Sequence, residues 1–465
     1  MIENKRFKNI LFVFKVSYLL YLLLAFNAFV NGSRIMNVTT YVITLWGMAM
    51  VLWMMVHYRT YLKVKNLWIL LLFIGSYVFS AVLNYHYGVT NNIKAIIWMV
   101  LPIFLLYIAS KDYKIWEMKR EFFFLSTIYV IYCTIANMVS LSMVYWGRNL
   151  EFKDATGVTH AVGFRWGRLW GIYDDPNHGA TISVIAMIMA IYLITQVKNM
   201  GLKILLSLAF LTNSLYILFS DSRTGMTCIA MGTFALVGIV VFQKIKLVPA
   251  GKKVVIVLLL SALSAIVSVG VSSEIKIKYN QMDKKIVSMI AEKNNTNQTK
   301  VSHPEAIIGR QKDLVKDTSN GRIELWKEGL QIAKSKPVFG VSYRNIASYA
   351  EKNMPESYMV KNSSGIRYDS MHNLEMDILI SQGLVGVGLF LFLVISTIIF
   401  WIKNIRYIPN GGKGLASMAF VMVFTMAIAS TFLSIIFYVN TPQGYCFWLC
   451  FGYLMAMMSG KRNTI

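Results

Sequence analysis

Cysteine is scarce in this sequence of 465 residues, and neither an internal repeat nor a leader cleavage site is visible. The four cysteines all fall inside apolar stretches, so the sequence indicates no disulfide framework and no metal cluster. The missing repeat counts weakly against a carrier, because many transporters are built from repeats. The apolar stretch from Ile10 to about Val30 is too long for a secretory leader, so we expect a retained first membrane span.

Acidic residues are also few, with 22 Asp and Glu against 46 Lys and Arg and a net charge of +24. In a soluble chain this excess would suggest nucleic acid, but most of these cations lie in short loops between apolar stretches, where they set membrane orientation. We therefore expect no nucleic acid as a partner. Apolar residues are abundant: 56% are hydrophobic, 14% are aromatic and the mean hydropathy is +0.54. These values predict an integral membrane protein.

Twelve apolar windows of roughly 17 to 25 residues are long enough to cross a bilayer as helices. The predicted fold class is therefore all-α, a polytopic integral membrane protein with about 12 transmembrane helices. The windows lie at about 10–30, 40–58, 66–83, 92–109, 121–145, 178–197, 203–220, 224–243, 254–272, 373–401, 415–436 and 443–459.

Basic residues cluster in every second connection between the windows. Such connections are retained in the cytoplasm, which predicts a multi-pass protein of the cytoplasmic membrane with both termini cytoplasmic. The intervening connections, among them 147–177, are expected outside. The cations that define the inner side are Arg59, Lys63, Lys65, Lys111, Lys114, Lys119, Arg120, Lys198, Lys203, Lys244, Lys246, Lys252, Lys253, Lys403, Arg406, Lys413, Lys461 and Arg462.

One long polar segment interrupts the apolar pattern. It divides the chain into 1–272 with nine spans, the polar segment 273–371, and 372–465 with three spans. The orientation places the segment outside as a large extracytoplasmic loop, where we expect the chemistry to lie. About 100 residues with scattered charge bury only a small core, so we expect short amphipathic helices that lie on the bundle.

A histidine stands where this segment meets the next apolar helix. On a helix, His372 and Glu375 would share one face, so the carboxylate could orient the imidazole. Asp377 lies deeper, where an ionisable group is costly and functional by default. With Asn373, these residues form either a candidate site or only a polar helix entrance, and the sequence leaves both interpretations open.

Two arginines stand at predicted helix starts on the outer side. Arg223 begins the eighth span, where unpaired N–H groups also favour anions. Arg322 begins an amphipathic helix, and two converging guanidiniums would suit a diphosphate because each keeps its charge and a planar fork of donors. The alternatives are local ion pairs, of Arg223 with Asp221 and of Arg322 with Glu324 or Asp317. The amphipathic helix is predicted from Ile323, Trp326, Leu330 and Ala333, and its end from Pro337 and Gly340.

The loop 168–178 closes the shorter outer connection. Its Gly171, Pro176 and Asn177 predict a turn that leads into the N-terminus of the sixth span. Aromatic residues beside Asp and Asn suit a sugar-binding lip, although the same residue types form the usual interfacial belt. Candidates for stacking on sugars are Trp166, Trp170 and Tyr173.

With these residues laid out, the chain resembles the O-antigen ligase and polymerase family of bacterial polysaccharide assembly, which are membrane glycosyltransferases of the GT-C type. The resemblance is close over about 160 residues, 222–386, and elsewhere covers only the hydropathy pattern. The motifs that carry it are Ser222-Arg223-Thr224-Gly225, Gly321-Arg322, Trp326-Lys327-Glu328-Gly329-Leu330, Pro337-Val338-Phe339-Gly340-Val341, His372-Asn373-Leu374 and Gly383-Leu384-Val385-Gly386.

This resemblance implies glycan transfer from undecaprenyl diphosphate to an acceptor hydroxyl at the outer face of the membrane, without a metal or another cofactor. Arg223 and Arg322 would clamp the diphosphate, and His372 would act as base or positioning group, which requires the three to meet. Expected partners are the lipid-linked oligosaccharide, membrane lipids, a chain-length regulator and a flippase. The expected substrate-binding residues are Arg168, Asn177, Trp326, Asn373 and Glu375.

Two reactions fit this resemblance. A polymerase of capsular, exopolysaccharide or O-antigen repeat units is favoured, because abundant Lys, Asn, Ile and Tyr suit a low-GC bacterium without a lipid A core. A ligase would pass the finished glycan to another lipid or acceptor. The alternative from another class is a transporter or flippase, with Lys15 and Asp377 along its pathway, but charged residues within the spans are few.

Overall fold

The computed structural model describes residues 5–57, 59–145, 149–155, 157–245, 248–296, 307–309, 321–362 and 367–460. Much of the predicted polar segment 273–371 therefore falls within the described residues. Four residues used in the sequence predictions lie outside them: Lys246, Asp317, Lys461 and Arg462.

Helices form most of the described chain, joined by a small antiparallel sheet. In chain order the helices are α1 Lys5–Ala25, α2 Arg34–His57, α3 Leu67–Leu83, α4 Thr90–Pro102, α5 Ile115–Tyr145, α6 Pro176–Gln196, α7 Met200–Ser220, α8 Arg223–Lys244, α9 Ala250–Thr296, α10 Arg322–Ser335, α11 Ile346–Asn353, α12 Leu374–Asn404, α13 Lys413–Ser430 and α14 Pro442–Met458. The strands are β1 Asn149–Lys153, β2 Thr159–Arg165 and β3 Arg168–Gly171.

Ten helical segments of the described chain are long and apolar enough to cross a membrane. The predicted class, a helical multi-pass membrane protein, is confirmed, whereas the count of twelve spans stays a prediction. Two of the twelve windows form helices of 17 residues, α3 and α14. At 1.5 Å per residue each is about 25 Å long, a little less than the roughly 30 Å hydrocarbon core of a bilayer.

Helix α9 does not end with the ninth predicted span at residue 272. It continues to Thr296 and has 47 residues, which corresponds to about 70 Å. The first part of the predicted polar segment is therefore a continuation of a spanning helix. The division of the chain at 272 and 371 stays a prediction, but its first boundary falls inside a helix.

The chain forms two compact units. Unit 1 comprises Met1–Tyr18, Tyr41–Glu121 and Val315–Ile465, and unit 2 comprises Leu19–Thr40 and Phe122–Leu314. All four cysteines are buried, Cys133 and Cys228 in unit 2 and Cys446 and Cys450 in unit 1.

In unit 2, α6 packs against α7 and α8, and α8 packs against α9. The sheet has the order β1-β2-β3 with antiparallel pairs and an irregular register between Gly163 and Phe164. No strands were predicted from the sequence. The turn into α6 was predicted correctly: Gly171 has φ +62°, and Asp175 caps the helix by accepting bonds from the N–H groups of Asn177 and His178.

In unit 1, the predicted amphipathic helix is confirmed as α10. Its buried face differs from the predicted one, because Ile323 and Leu330 are exposed. The helix lies against α12, where Gly329 leaves no room for a side chain: a Cβ there would approach both Ile380 and Met371 to 2.7 Å. The buried residues of α10 are Leu325, Gly329, Ile332 and Ala333.

Helix α12 is broken at Gly383, which has φ +61° and ψ −157°. The chain 337–342, just after α10, lies alongside the break and bonds with the backbone groups that the break frees. In a membrane such groups must be satisfied inside the protein. These bonds run from Val341 N to Ile380 O (2.9 Å), Ser342 N to Ser381 O (2.9 Å), Leu384 N to Pro337 O (2.8 Å) and Val385 N to Val338 O (3.2 Å).

Candidate functional site

His372 lies in a turn before α12 and not on the helix. Asn373 is the N-cap, α12 begins at Leu374, and His372 itself has φ +50°, in the left-handed region that favours glycine. The predicted helical face shared by His372 and Glu375 is therefore wrong, because the helix starts two residues later than that prediction requires. The imidazole is half-buried, and Glu375 is exposed in the first turn.

Asp377, whose side chain is fully buried, accepts the hydrogen bonds that hold the turn at His372. Its Oδ1 accepts a bond from the Met371 N–H (2.7 Å), and its Oδ2 accepts bonds from the hydroxyls of Ser370 (2.8 Å) and Ser434. The Ser370 Oγ in turn accepts the N–H of His372 at 3.0 Å. One carboxylate thus binds the backbone on the N-terminal side of His372.

Two predicted substrate-binding residues also brace this turn. The Trp326 indole N–H donates to the carbonyl of Met371 at 2.9 Å. The Asn373 side chain accepts from the Met376 N–H at 2.8 Å and donates to the carbonyl of Thr431 at 3.0 Å. Because their polar atoms are bonded within the protein, both residues suit a positioning role better than direct contact with a ligand.

Aromatic rings connect the start of α10 with His372. Gly321, with φ +74°, lies against Tyr358: a Cβ there would be 2.2 Å from the hydroxyl oxygen. The Tyr358 ring stacks on Tyr368 (5.7 Å, 18°), whose ring meets the His372 imidazole edge-on (6.3 Å, 89°). Arg322, next to Gly321, thus belongs to the same part of unit 1 as His372. Burial raises the pKa of Tyr368 to about 12, so its hydroxyl keeps its proton at neutral pH.

Arg344 is a further cation in this region that was not predicted from the sequence. Its guanidinium lies over the rings of Trp98 (5.4 Å) and Tyr343 (5.2 Å) and forms a 3.7 Å ion pair with Asp369. Asp369 lies three residues before His372. Nothing in the sequence marks this arginine, since Trp98 comes from α4 and Asp369 from the chain before α12, both distant along the sequence.

In unit 2, Arg223 is the first residue of α8 and is exposed. Ser222 is the N-cap, and its hydroxyl accepts the N–H of Gly225 at 3.1 Å. The helix start predicted at this motif is therefore confirmed. Asp221, the alternative partner considered for Arg223, forms an ion pair with Lys276 of α9 at 2.5 Å.

Arg168 and Asn177 lie close to the same helix start. The Arg168 side chain is buried and donates to the carbonyl of Ser220 (2.8 Å) and to the Asn177 side chain (3.0 Å). The Ser222 hydroxyl donates to the same Asn177 oxygen at 2.9 Å. These bonds join the sheet, α6 and the α7–α8 turn, so Arg168 and Asn177 also suit a positioning role.

The structure thus gathers the predicted site residues into two groups. Unit 1 holds His372 and Arg322, and unit 2 holds Arg223; that all three act on one substrate stays a prediction. Glu324, an alternative partner for Arg322, pairs with Lys327 at 2.9 Å. The predicted residues of unit 1 are Arg322, Trp326, His372, Asn373 and Glu375, and those of unit 2 are Arg168, Asn177 and Arg223.

The fold and these residues define a multi-pass helical membrane protein with polar chemistry at its helix starts. Residues 208–391 match the family model Wzy_C, described as O-Antigen ligase. The match covers 184 of the 465 residues and supports the resemblance predicted from the sequence.

A relative is also found in Haemophilus influenzae, described as "Uncharacterized protein". It is 26% identical to this chain over 207 residues, which cover 43% of this chain and 42% of that protein. The alignment thus spans less than half the length of this relative. Over residues 208–391 the chain is thus similar to proteins of the O-antigen ligase type.

Proposed function

We propose that this protein is a glycosyltransferase that uses a glycan linked to a polyprenyl diphosphate, and that it polymerises lipid-linked oligosaccharide repeat units. The observation that supports this most is the family match over 208–391, because His372, Arg322 and Arg223 all fall inside it. The resemblance implies undecaprenyl diphosphate as the lipid that carries the donor glycan. The reaction would take place at the outer face of the cytoplasmic membrane.

In the proposed step, the acceptor hydroxyl oxygen attacks the anomeric carbon of the donor glycan from the face opposite the diphosphate. A new C–O glycosidic bond forms, the C–O bond to the phosphate breaks, and the configuration inverts. His372 takes the proton of the acceptor hydroxyl, and the lipid diphosphate leaves with the bonding electron pair. Guanidinium groups offset the charge that develops on the diphosphate, which is the role we propose for Arg322 and Arg223.

The remaining site residues support these groups in the proposal. Trp326 and Asn373 hold the turn that carries His372, and Arg168 and Asn177 hold the start of α8 that carries Arg223. Glu375, exposed in the first turn of α12, is the predicted binding residue whose carboxylate is accessible to an acceptor sugar.

A ligase is the second candidate, and the printed description of the family model, O-Antigen ligase, favours it. Both reactions share the donor and the bond that breaks, so the same residues would serve either. They differ only in the acceptor, a second lipid-linked repeat for the polymerase and a different molecule for the ligase.

The test is reconstitution of the purified protein in liposomes with a synthetic lipid-linked repeat unit. A ladder of longer lipid-linked glycans means polymerase, and transfer only after a separate acceptor is added means ligase. Movement of the lipid across the bilayer without a new covalent bond means carrier and contradicts the proposal.

The same assay tests the residues. We expect His372→Ala to lower kcat about 10²-fold or more, the usual contribution of a general base. Arg322→Ala and Arg223→Ala are each expected to lower kcat by about 10²-fold. This is the usual effect of removing a hydrogen-bond donor that stabilises charge in the transition state. Arg406→Ala is the control, because this exposed arginine lies beyond the far end of α12 and contacts Tyr407. Near wild-type rates for His372→Ala would remove the proposed mechanism.

A further inference from the structure

Asp377 is a buried carboxylate for which the proposed reaction has no direct use. Its side chain has no exposed surface, and among the residues that the structure describes it forms no ion pair with a Lys, Arg or His. Burying an unpaired carboxylate is costly unless hydrogen bonds compensate. Here three donors and a place in the first turns of α12 supply that compensation.

The three donors show what this carboxylate organises. One is the N–H of Met371 and another is the hydroxyl of Ser370, the two residues before His372. Ser370 connects Asp377 with His372, because its oxygen also accepts the His372 N–H. The third donor, Ser434, belongs to the chain between α13 and α14 and anchors the carboxylate from another direction.

His372 needs such support because its backbone is in the left-handed region. A non-glycine residue there costs about 1–3 kcal/mol and persists only where its surroundings hold it. The bonds to Asp377 hold the N-terminal side of the turn, and the Asn373 cap holds its C-terminal side. The direction in which the His372 imidazole points thus depends on the buried carboxylate of Asp377.

We propose that Asp377 is a positioning residue: through Ser370 and the Met371 N–H it fixes the left-handed turn that presents the His372 imidazole to the acceptor hydroxyl. This inference rests on the proposed function, in which His372 is the base. Asp377 acts through hydrogen bonds in this scheme, and its charge does not act on the substrate.

The test compares two serines that donate to the same carboxylate oxygen. Ser370→Ala removes the link to His372, whereas Ser434→Ala removes the anchor and a long 3.4 Å contact with the Ser370 hydroxyl but leaves the bond between Ser370 and the His372 N–H. We expect Ser370→Ala to lower kcat about tenfold with KM for the lipid-linked donor unchanged, because small misplacement of a reacting group is costly. Ser434→Ala is expected to lower kcat by less than about threefold. Equal losses in the two variants would overturn the proposal.

A second pair of variants separates hydrogen bonding from charge. The amide of Asp377→Asn can accept the Met371 N–H and donate to the two serine hydroxyls, which accept as well as donate. We expect kcat of this variant to stay within about fivefold of the wild-type value. Asp377→Ala is expected to lower kcat by about 10²-fold. If the asparagine variant is as slow as the alanine variant while melting at the wild-type temperature, the positioning role is refuted.

These outcomes are distinct from failure of the proposed function. Full activity of His372→Ala would remove the base and with it the premise. Loss of activity in His372→Ala, combined with equal effects in Ser370→Ala and Ser434→Ala, would leave the proposed function intact and refute only the role of Asp377.

Discussion

At the residue scale, His160 in β2 is held between two carboxylates. Its Nδ1 lies 2.6 Å from an oxygen of Asp174 and its Nε2 lies 3.0 Å from an oxygen of Asp154. Both ring nitrogens can donate only when the imidazole is protonated. Other neighbours are the Phe152 ring, which stacks on the imidazole, and Asn31, which donates to Asp174. The cluster thus ties the sheet to the loop after α1 within unit 2.

Burial lowers the pKa of His160, but the hydrogen bonds and charges of Asp154 and Asp174 outweigh it, so the pKa lies above its ordinary value of 6.5. A raised pKa in the folded state means that protonation stabilises the fold. This contribution is complete below about pH 6.5, the unfolded value, and is lost as the pH rises through the folded pKa.

We therefore expect the melting temperature of the wild-type protein in detergent to exceed that of His160→Gln most clearly at pH 6. The difference should shrink as the pH is raised to 9, because the wild-type imidazole then loses one of its two bonds. His57→Gln serves as the control, since this exposed histidine bonds to the carbonyl of Trp53 and stacks on the Trp53 ring, one helix turn before it. A difference in melting temperature that stays constant between pH 6 and 9 would contradict the pairing of a protonated His160 with both carboxylates.

At the element scale, the glycines of the break in α12 are required by close backbone contact. A Cβ on Gly383 would lie 2.4 Å from the Val338 carbonyl carbon, and one on Gly340 would lie 2.3 Å from the Ile380 oxygen. Both glycines also have φ between +60° and +65°. Gly388, further along α12, has open space at its Cβ position.

Gly383→Ala is therefore expected to lower the free energy of unfolding by several kcal/mol, since it adds overlap to a strained backbone. Gly388→Ala in the same helix should be neutral or stabilising by up to about 1 kcal/mol, because alanine favours helix over glycine. Melting temperatures of the two variants in detergent provide the measurement. Similar melting temperatures would show that the chain 337–342 does not pack tightly against the break.

The sequence predicted elements where the signal is local. Ser222 before Arg223, and Pro176 at the start of α6, are capping and first-turn residues whose effect does not depend on distant contacts. The break at Gly383 was missed because a glycine within an apolar window looks the same whether or not a second chain pairs with it. The sheet of unit 2 was missed because its short strands carry mixed polar and apolar residues.

Prediction of the candidate site from the sequence has the same limit. His372 and Arg322 were recognised from their motifs, but the left-handed turn at His372 depends on side-chain bonds that no motif shows. Asp377 accepts the Met371 N–H, and Trp326, 45 residues before Met371, donates to the Met371 carbonyl. Arg344 lacks any motif, and only the folded chain brings it beside Asp369. Residue identity could therefore be predicted, and the geometry that gives each residue its role could not.

At the scale of the whole molecule, a buried ion pair joins residues of unit 1 that are far apart in the sequence. Lys15 of α1 and Glu121 of α5 are both buried and lie 2.7 Å apart. Tyr453 of α14 donates to the same carboxylate at 2.6 Å, and the Lys15 ammonium lies 4.6 Å from the centre of the Tyr113 ring. Lys15, considered as part of a transport pathway, thus has a carboxylate partner inside the protein.

A structural pair and a transport pathway predict different results for single and double substitutions. Removing one partner leaves an uncompensated buried charge, so Lys15→Met and Glu121→Gln are each expected to destabilise unit 1 by about 3–5 kcal/mol. The double variant Lys15→Met/Glu121→Gln should recover most of this loss and keep glycan transfer in the liposome assay. The comparison is made on melting temperature and transfer rate for all four proteins. A double variant that melts like the wild type but has lost glycan transfer would show that these buried charges serve the function directly and are not only a structural pair.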